Sequence, residues 1–188
     1  MSRTPIIIGV GGTNGSGKDT VMRLLADKYN LLFVSATDLL TAELTRDNLP
    51  TDRIHKAARA AEWRRESGLG VIVKKAYEAY QTQADKYVGL VVGSLRHSAE
   101  VDEVHALGGK VLWIDADPKL RYERIQANDR GRVEDRVSFE QFMADEEREM
   151  HPVGDEATLN MAVVKEKADQ VILNELSVDD LETKLTKV

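Results

Sequence analysis

Between Ile6 and Tyr29 an apolar run, a glycine-rich turn and an amphipathic stretch follow one another without a gap. Ile6 to Val10 has the β-branched character of a buried strand, and Val21, Leu24 and Leu25 mark one face of a helix predicted over Lys18 to Tyr29. The turn joining them, Gly12-Thr13-Asn14-Gly15-Ser16-Gly17-Lys18, satisfies G-x-x-x-x-G-K, the P-loop pattern, in the strand-to-helix setting that its mechanism requires. Glycines let the backbone curl so that successive N–H groups converge on phosphate oxygens, and the helix N-terminus adds its positive end. Lys18 is then placed to reach the β- and γ-phosphates of a nucleoside triphosphate. Reading the segment as a plain turn with a solvated Lys18 leaves the coincidence of three glycines, lysine and flanking elements unexplained. Gly12, Thr13, Asn14, Gly15, Ser16, Gly17, Lys18, Asp19 and Thr20 therefore form the predicted ATP-binding segment.

Strand-like and helical stretches alternate along the rest of the chain, which predicts a parallel sheet covered by helices, an α/β fold. Strands are expected at Leu31 to Val34, Tyr87 to Val92, Lys110 to Ile114 and Gln170 to Leu173. Helices are expected over Thr37 to Thr45, Thr51 to Glu66, Val71 to Ala84, Ser98 to Leu107, Pro118 to Asn128, Ser138 to Met150, Leu159 to Ala168 and Ser177 to Lys187. At 188 residues, with no glycine/serine-rich linker, the chain reads as one domain over 1–188. A charged stretch without apolar periodicity, Asn128 to Arg136, reads as a loop between two helices.

With no cysteine and four scattered histidines, any metal has to be held by oxygen. A net charge of -6 argues against sequence-independent binding of nucleic acid, whose affinity rests on clustered Lys and Arg. The apolar runs fall well short of the roughly 20 residues of a membrane span. The N-terminal five residues leave no space for a signal peptide before the first strand, so a cytoplasmic location away from the membrane is expected. Asp19 follows Lys18 where P-loops carry Ser or Thr as the Mg²⁺ ligand, and Thr20 comes one later. Asp19 and Thr20 are the expected Mg²⁺ contacts.

These residues resemble the nucleoside monophosphate kinase superfamily. Gly17-Lys18-Asp19-Thr20 is similar to the loop of bacteriophage-type deoxynucleoside monophosphate kinases, as is Leu95-Arg96-His97-Ser98-Ala99-Glu100-Val101 to their arginine-then-glutamate segment. Asp117-Pro118-Lys119-Leu120-Arg121-Tyr122-Glu123-Arg124 and Ile172-Leu173-Asn174-Glu175 also resemble an archaeal group related to dephospho-coenzyme A kinase. The resemblance implies a three-layer αβα P-loop fold, a five-stranded parallel sheet in order 2-3-1-4-5, acceptor-covering helices within 37–84 and a lid at 128–137. It implies transfer of the γ-phosphoryl of ATP to a small phosphate-bearing acceptor, a nucleoside or deoxynucleoside monophosphate. The alternatives are a dephospho-coenzyme A kinase-like activity and a nucleotide-binding or slow NTPase module. One departure bears on the metal, because relatives end the third strand with an aspartate where this chain has Val92-Gly93-Ser94. Asp19 and Asp38 are the candidates to compensate.

Phosphoryl transfer calls for positioned phosphates and positive charge on the transferring group. Arg130 and Arg132 resemble lid arginines, the alternative being a solvated turn. Arg96, just past the third strand, is expected to meet the acceptor's anion, or else to pair with Glu100 one turn on. Asp38 is either an acceptor contact or a helix-start carboxylate. Arg59, Arg64 and Arg65 read mainly as a solvated face, and the histidines as surface or packing residues.

Overall fold

The computed structural model describes residues 4–127, 136–151, 153–175 and 178–185. Its centre is β1 (Ile6–Gly12), buried along nearly its whole length because a parallel sheet carries helices on both faces. After β1 come α1 (Lys18–Tyr29), β2 (Leu31–Ser35), α2 (Ala36–Arg46), α3 (Arg53–Ser67), α4 (Val71–Gln81) and β3 (Gly89–Leu95). The chain continues with α5 (Ser98–Ala106), β4 (Lys110–Asp115), α6 (Pro118–Ala127), α7 (Phe139–Met150), α8 (Met161–Lys167), β5 (Gln170–Leu173) and α9 (Val178–Leu185). The strands are parallel and lie in the order β2-β3-β1-β4-β5. This is the three-layer P-loop kinase architecture that the resemblance implies.

Alternation along the strands divides the core in two. Ile8 and Val10 of β1, Val91 of β3, and Leu112 and Ile114 of β4 pack with Val21, Met22 and Leu25 of α1 and Leu181 and Leu185 of α9. Their neighbours Ile7, Leu90, Val92, Val111 and Trp113 point to the other face, onto α4, α5 and α8. A third cluster, Ala36, Leu40, Ala60, Trp63, Val71 and Ile72, joins α2, α3 and α4 to one another. No helix among the described residues is long and apolar enough to cross a membrane.

Because β1 is flanked by β3 on one side and β4 on the other, the connections leaving its carboxyl end diverge. Such a switch point opens a crevice for ligands. It brings three turns to one edge of the sheet: the glycine-rich loop after β1, the β3–α5 turn and the β4–α6 turn.

Most helix starts follow local chemistry. Asp52 caps α3, accepting from the N–H groups of Ile54 at 2.9 Å and His55 at 3.0 Å, and Ser138 and Asn160 cap α7 and α8. The third strand departs from its expected span. Tyr87 follows a turn, its N–H bonded to Gln83 O at 3.2 Å, and the strand begins at Gly89 and continues to Leu95. The expected strand stops at Val92, yet Gly93 pairs with Val10 and Leu95 with Gly11, leaving Ser94 as the extra residue of a bulge at φ 65°. Gly93 is required there for space, since a Cβ would overlap the Met22 sulfur of α1.

Gly93→Ala should therefore cost about 1–3 kcal/mol of stability in urea unfolding, as overpacking does. Combined with Met22→Ala, the loss should fall short of the sum of the two single losses; simple additivity would show that the two positions do not compete for space.

Candidate phosphate-binding site

The loop between β1 and α1 has the carbonyl oxygens of Thr13, Asn14 and Ser16 occupied. Thr13 O accepts from the Ser16 hydroxyl at 2.8 Å, the Ser16 N–H at 3.4 Å and Lys18 Nζ at 3.3 Å. Asn14 O accepts from Arg121 Nη1 at 3.2 Å, and Ser16 O from Asn174 Nδ2 at 2.8 Å. With these oxygens tied to the scaffold, the donors of the loop and of the first turn of α1 are what remains for an anion. That turn starts on Gly17, in the left-handed region at φ 83°, with no side chain capping it, whereas α2, α3, α5, α7 and α8 each carry a side-chain cap. The first intrahelical bond, Val21 N–H to Gly17 O at 3.1 Å, comes only after the N–H groups of Lys18, Asp19 and Thr20. Gly15 permits a close approach from below, because a Cβ there would lie 2.6 Å from Arg121 O.

The supports come from the far ends of β4 and β5. Asp115, the last residue of β4, accepts from the Thr13 hydroxyl at 3.1 Å, Lys165 Nζ at 2.8 Å, the Ala116 N–H at 3.0 Å and the Trp113 indole N–H at 3.3 Å. Burial works against its charge, but the bond to Lys165, that ammonium's field and the Trp113 and Ala116 donors outweigh it and hold the carboxyl below its ordinary value. Arg121, 2% exposed, bonds Ala116 O at 2.8 Å as well as Asn14 O, and its other nitrogen meets Glu146 of α7 at 2.8 Å. Asn174 is itself fixed through its N–H to Asp115 O at 2.8 Å.

Sequence reasoning named the loop and overlooked these supports. Asp115 was within reach of it: an aspartate directly follows the expected fourth strand, and the order 2-3-1-4-5 puts that strand beside β1. Asp115 is the carboxylate that the strands adjoining β1 deliver to the loop, since Val92 of β3 is fully buried in the core. Arg121 and Asn174 carried no signal beyond the family resemblance, because only the tertiary fold brings them beneath the loop.

Asp19 and Thr20 are exposed in the first turn of α1, and Asp38 is exposed in the first turn of α2, whose cap is Ser35. Arg130 and Arg132 lie outside the described residues. Arg96 stands at the end of β3, its side chain 33% exposed and 3.2 Å from Glu149 of α7. The expected alternative, a side-chain pair between Arg96 and Glu100, takes a different form. Glu100 is 1% exposed and accepts from the backbone N–H groups of Arg96 at 2.8 Å and His97 at 3.2 Å, and from Arg64 Nη2 at 2.7 Å.

Arg64 is thus not on a solvated face; it is 6% exposed, because the buried carboxylate has to be matched by a cation. His97, also 6% exposed, accepts from Ala99 N–H and contacts Glu156 O at 2.7 Å, so it caps α5. Arg59 is paired with Asp47 at 3.0 Å and Arg65 with Asp155 at 2.8 Å. The described residues hold no cluster of three or more His, Cys, Asp or Glu suited to a metal.

A protein-family model described as an AAA domain matches residues 11–141, from the glycine-rich loop into α7. Over 97% of the chain and 95% of the relative, a UPF0200 protein of Pyrobaculum aerophilum is 29% identical. Among solved structures, shikimate kinase from Bacteroides thetaiotaomicron superposes with a TM-score of 0.63 over 97% of this chain and 95% of its own, at 12% identity. A Thermus thermophilus protein gives 0.59 at 24% identity over 98% and 96%, and a Janibacter sugar kinase 0.53 at 15% over 97% and 93%. At such identities these likenesses establish the fold.

The depressed Asp115 carboxyl sets a sign for pH. Its stabilisation is complete above the ordinary aspartate value of about 4 and is lost as pH falls through the lower folded value. Asp115→Asn should cost about 1–2 kcal/mol at neutral pH, the partly exposed Lys165 limiting the loss. The gap from wild type should close as unfolding is measured toward pH 2. A gap independent of pH would show that the charge on Asp115 contributes nothing.

Proposed function

The chain belongs to the AAA domain family, and from that footing we propose that it is an ATP-dependent small-molecule kinase whose acceptor is a nucleoside or deoxynucleoside monophosphate. The observation that carries this reading is the loop from Gly12 to Lys18, with its oxygens held by Arg121, Asn174, Ser16 and Lys18 and its helix start left uncapped. ATP supplies the transferable γ-phosphoryl group, and Mg²⁺ would be held by the side chains of Asp19 and Thr20, offsetting phosphate charge. The oxygen donors of these two exposed residues suit that hard cation.

Phosphoryl transfer asks the protein for position and charge more than for covalent chemistry. Lys18 and the N–H groups of the loop bind and orient the phosphates. Arg96, across the switch point at the end of β3, offers a planar guanidinium that suits the acceptor's phosphate. Shikimate and sugar kinases among the structural neighbours indicate that this fold supports small acceptors.

A second reading, a slow NTPase module, draws support from β3, where Val92-Gly93-Ser94 supplies no carboxylate to a metal. ADP release measured with and without a panel of monophosphates separates the two. Acceptor-dependent turnover is expected, and release that no acceptor accelerates would favour the second reading. Lys18→Ala should lower kcat about 10²–10³-fold, as loss of a charge-stabilising donor does, with the circular dichroism spectrum unchanged. Arg96→Ala should cost about 2–4 kcal/mol in kcat/KM for the acceptor while leaving ATP affinity in place. Weakened ATP binding with unaltered acceptor dependence would contradict that assignment.

A further inference from the structure

Two guanidinium groups from distant parts of the chain converge on one carboxylate oxygen. Arg53 opens α3 and Arg96 follows β3, and both point at Oε1 of Glu149 on α7, Arg53 in direct ion-pair contact and Arg96 at 3.2 Å. Like charges brought together repel, and an anion shared between them offsets that repulsion. Here the chain's own carboxylate is that anion, and it is well covered, with 16% of its side chain exposed against 39% for Arg53 and 33% for Arg96.

The position of the group gives it meaning. Arg53 and Glu149 line a narrow cavity together with Thr13 and Asn14 of the phosphate loop, and its volume is about 20 Å³, room for about one water molecule. An acceptor that receives a phosphoryl group must lie beside that loop, and Phe142, Glu146, Glu149 and Met150 of α7 form part of the wall there. Other carboxylates on this wall are already matched: Glu146 by Arg121 and Asp145 by Arg148. Glu146 and Phe142, which packs on Tyr122, anchor α7 to α6, whereas Glu149, near its carboxyl end, attaches it to the arginine pair.

Resting on the kinase reading above, we propose that Arg53 and Arg96 form the clamp for the acceptor's phosphate, and that Glu149 is a built-in competitor which keeps the clamp closed until that phosphate displaces it. Arg53 is then the second arm of the acceptor site. α7 doubles as a gate, its Glu149 carboxylate standing where the acceptor's phosphate would bind.

The test titrates inorganic phosphate by calorimetry into full-length protein whose phosphate loop is saturated with ADP. If Glu149 occupies the clamp in nine molecules of ten or more, Glu149→Gln should tighten phosphate binding by about tenfold or more. Adding Arg53→Ala to that variant should remove the gain, and Arg53→Lys should restore only part of it, because an ammonium lacks the fork. In a melting experiment, phosphate should raise Tm more in Glu149→Gln than in wild type.

Unchanged phosphate affinity in Glu149→Gln, or a gain that survives Arg53→Ala, would overturn the clamp while leaving the kinase reading intact. Failure of ADP to bind would overturn both. Should Glu149→Gln not fold, Arg53→Ala and Arg96→Ala in the otherwise native chain should each weaken phosphate several-fold; undiminished affinity in both would refute the proposal.

Discussion

A loop that surrounds an anion must point its carbonyl oxygens elsewhere, and in this chain that requirement ties the sheet, the helices and the carboxyl-terminal segment together. The oxygens of Thr13, Asn14 and Ser16 are held by Lys18, Arg121 and Asn174. Two of those donors come from α6 and the end of β5, more than 100 residues along the chain. The loop is therefore a product of the whole αβα arrangement. Asp115 links the supports, bonding the Thr13 hydroxyl through its side chain and Asn174 through its backbone. A partly buried carboxylate in that place is tolerated because Lys165 and three further donors match it.

The turn after β3 shows the same economy of charge. Glu100 is buried and satisfied by the Arg96 and His97 N–H groups and by Arg64, so the turn that presents Arg96 is fixed by a carboxylate beneath it. Removing Glu100 would leave Arg64 buried without its partner, a far larger disturbance than loss of a surface ion pair. The Arg96 side chain, freed from the duty of capping, reaches toward α7 and Glu149.

What could be read from the sequence was what local chemistry decides. The strand, loop and helix at Ile6 to Tyr29 follow from apolar period and glycine placement, whereas Ser138 and Asn160, read as helical, turn out to be the caps just before their helices. The strand order came from the family resemblance, since periodicity is silent on which strands pair. The third strand was expected to end at Val92, because its continuation runs through a bulge at Gly93 and Ser94 that apolar alternation does not show. Arg64 looked solvated because its partner Glu100 lies 36 positions away, and no spacing rule relates them. Asp115 was passed over because metal-site reasoning looked to β3, whereas the carboxylate beside the loop comes from the strand on the other side of β1. The pairing of Arg53 with Glu149 required the docking of α7, a tertiary event without a sequence signature.

The central claim is that the N–H groups from Gly12 to Thr20 receive the phosphates. It is tested most directly by following the backbone amide resonances of ¹⁵N-labelled protein as ADP and Mg²⁺ are added. The largest shifts should fall on Gly15, Ser16, Gly17, Lys18 and Asp19, with smaller ones at the supporting residues Asp115, Arg121 and Asn174. Saturable binding that leaves the amides of the loop unmoved, with its shifts elsewhere, would contradict the account.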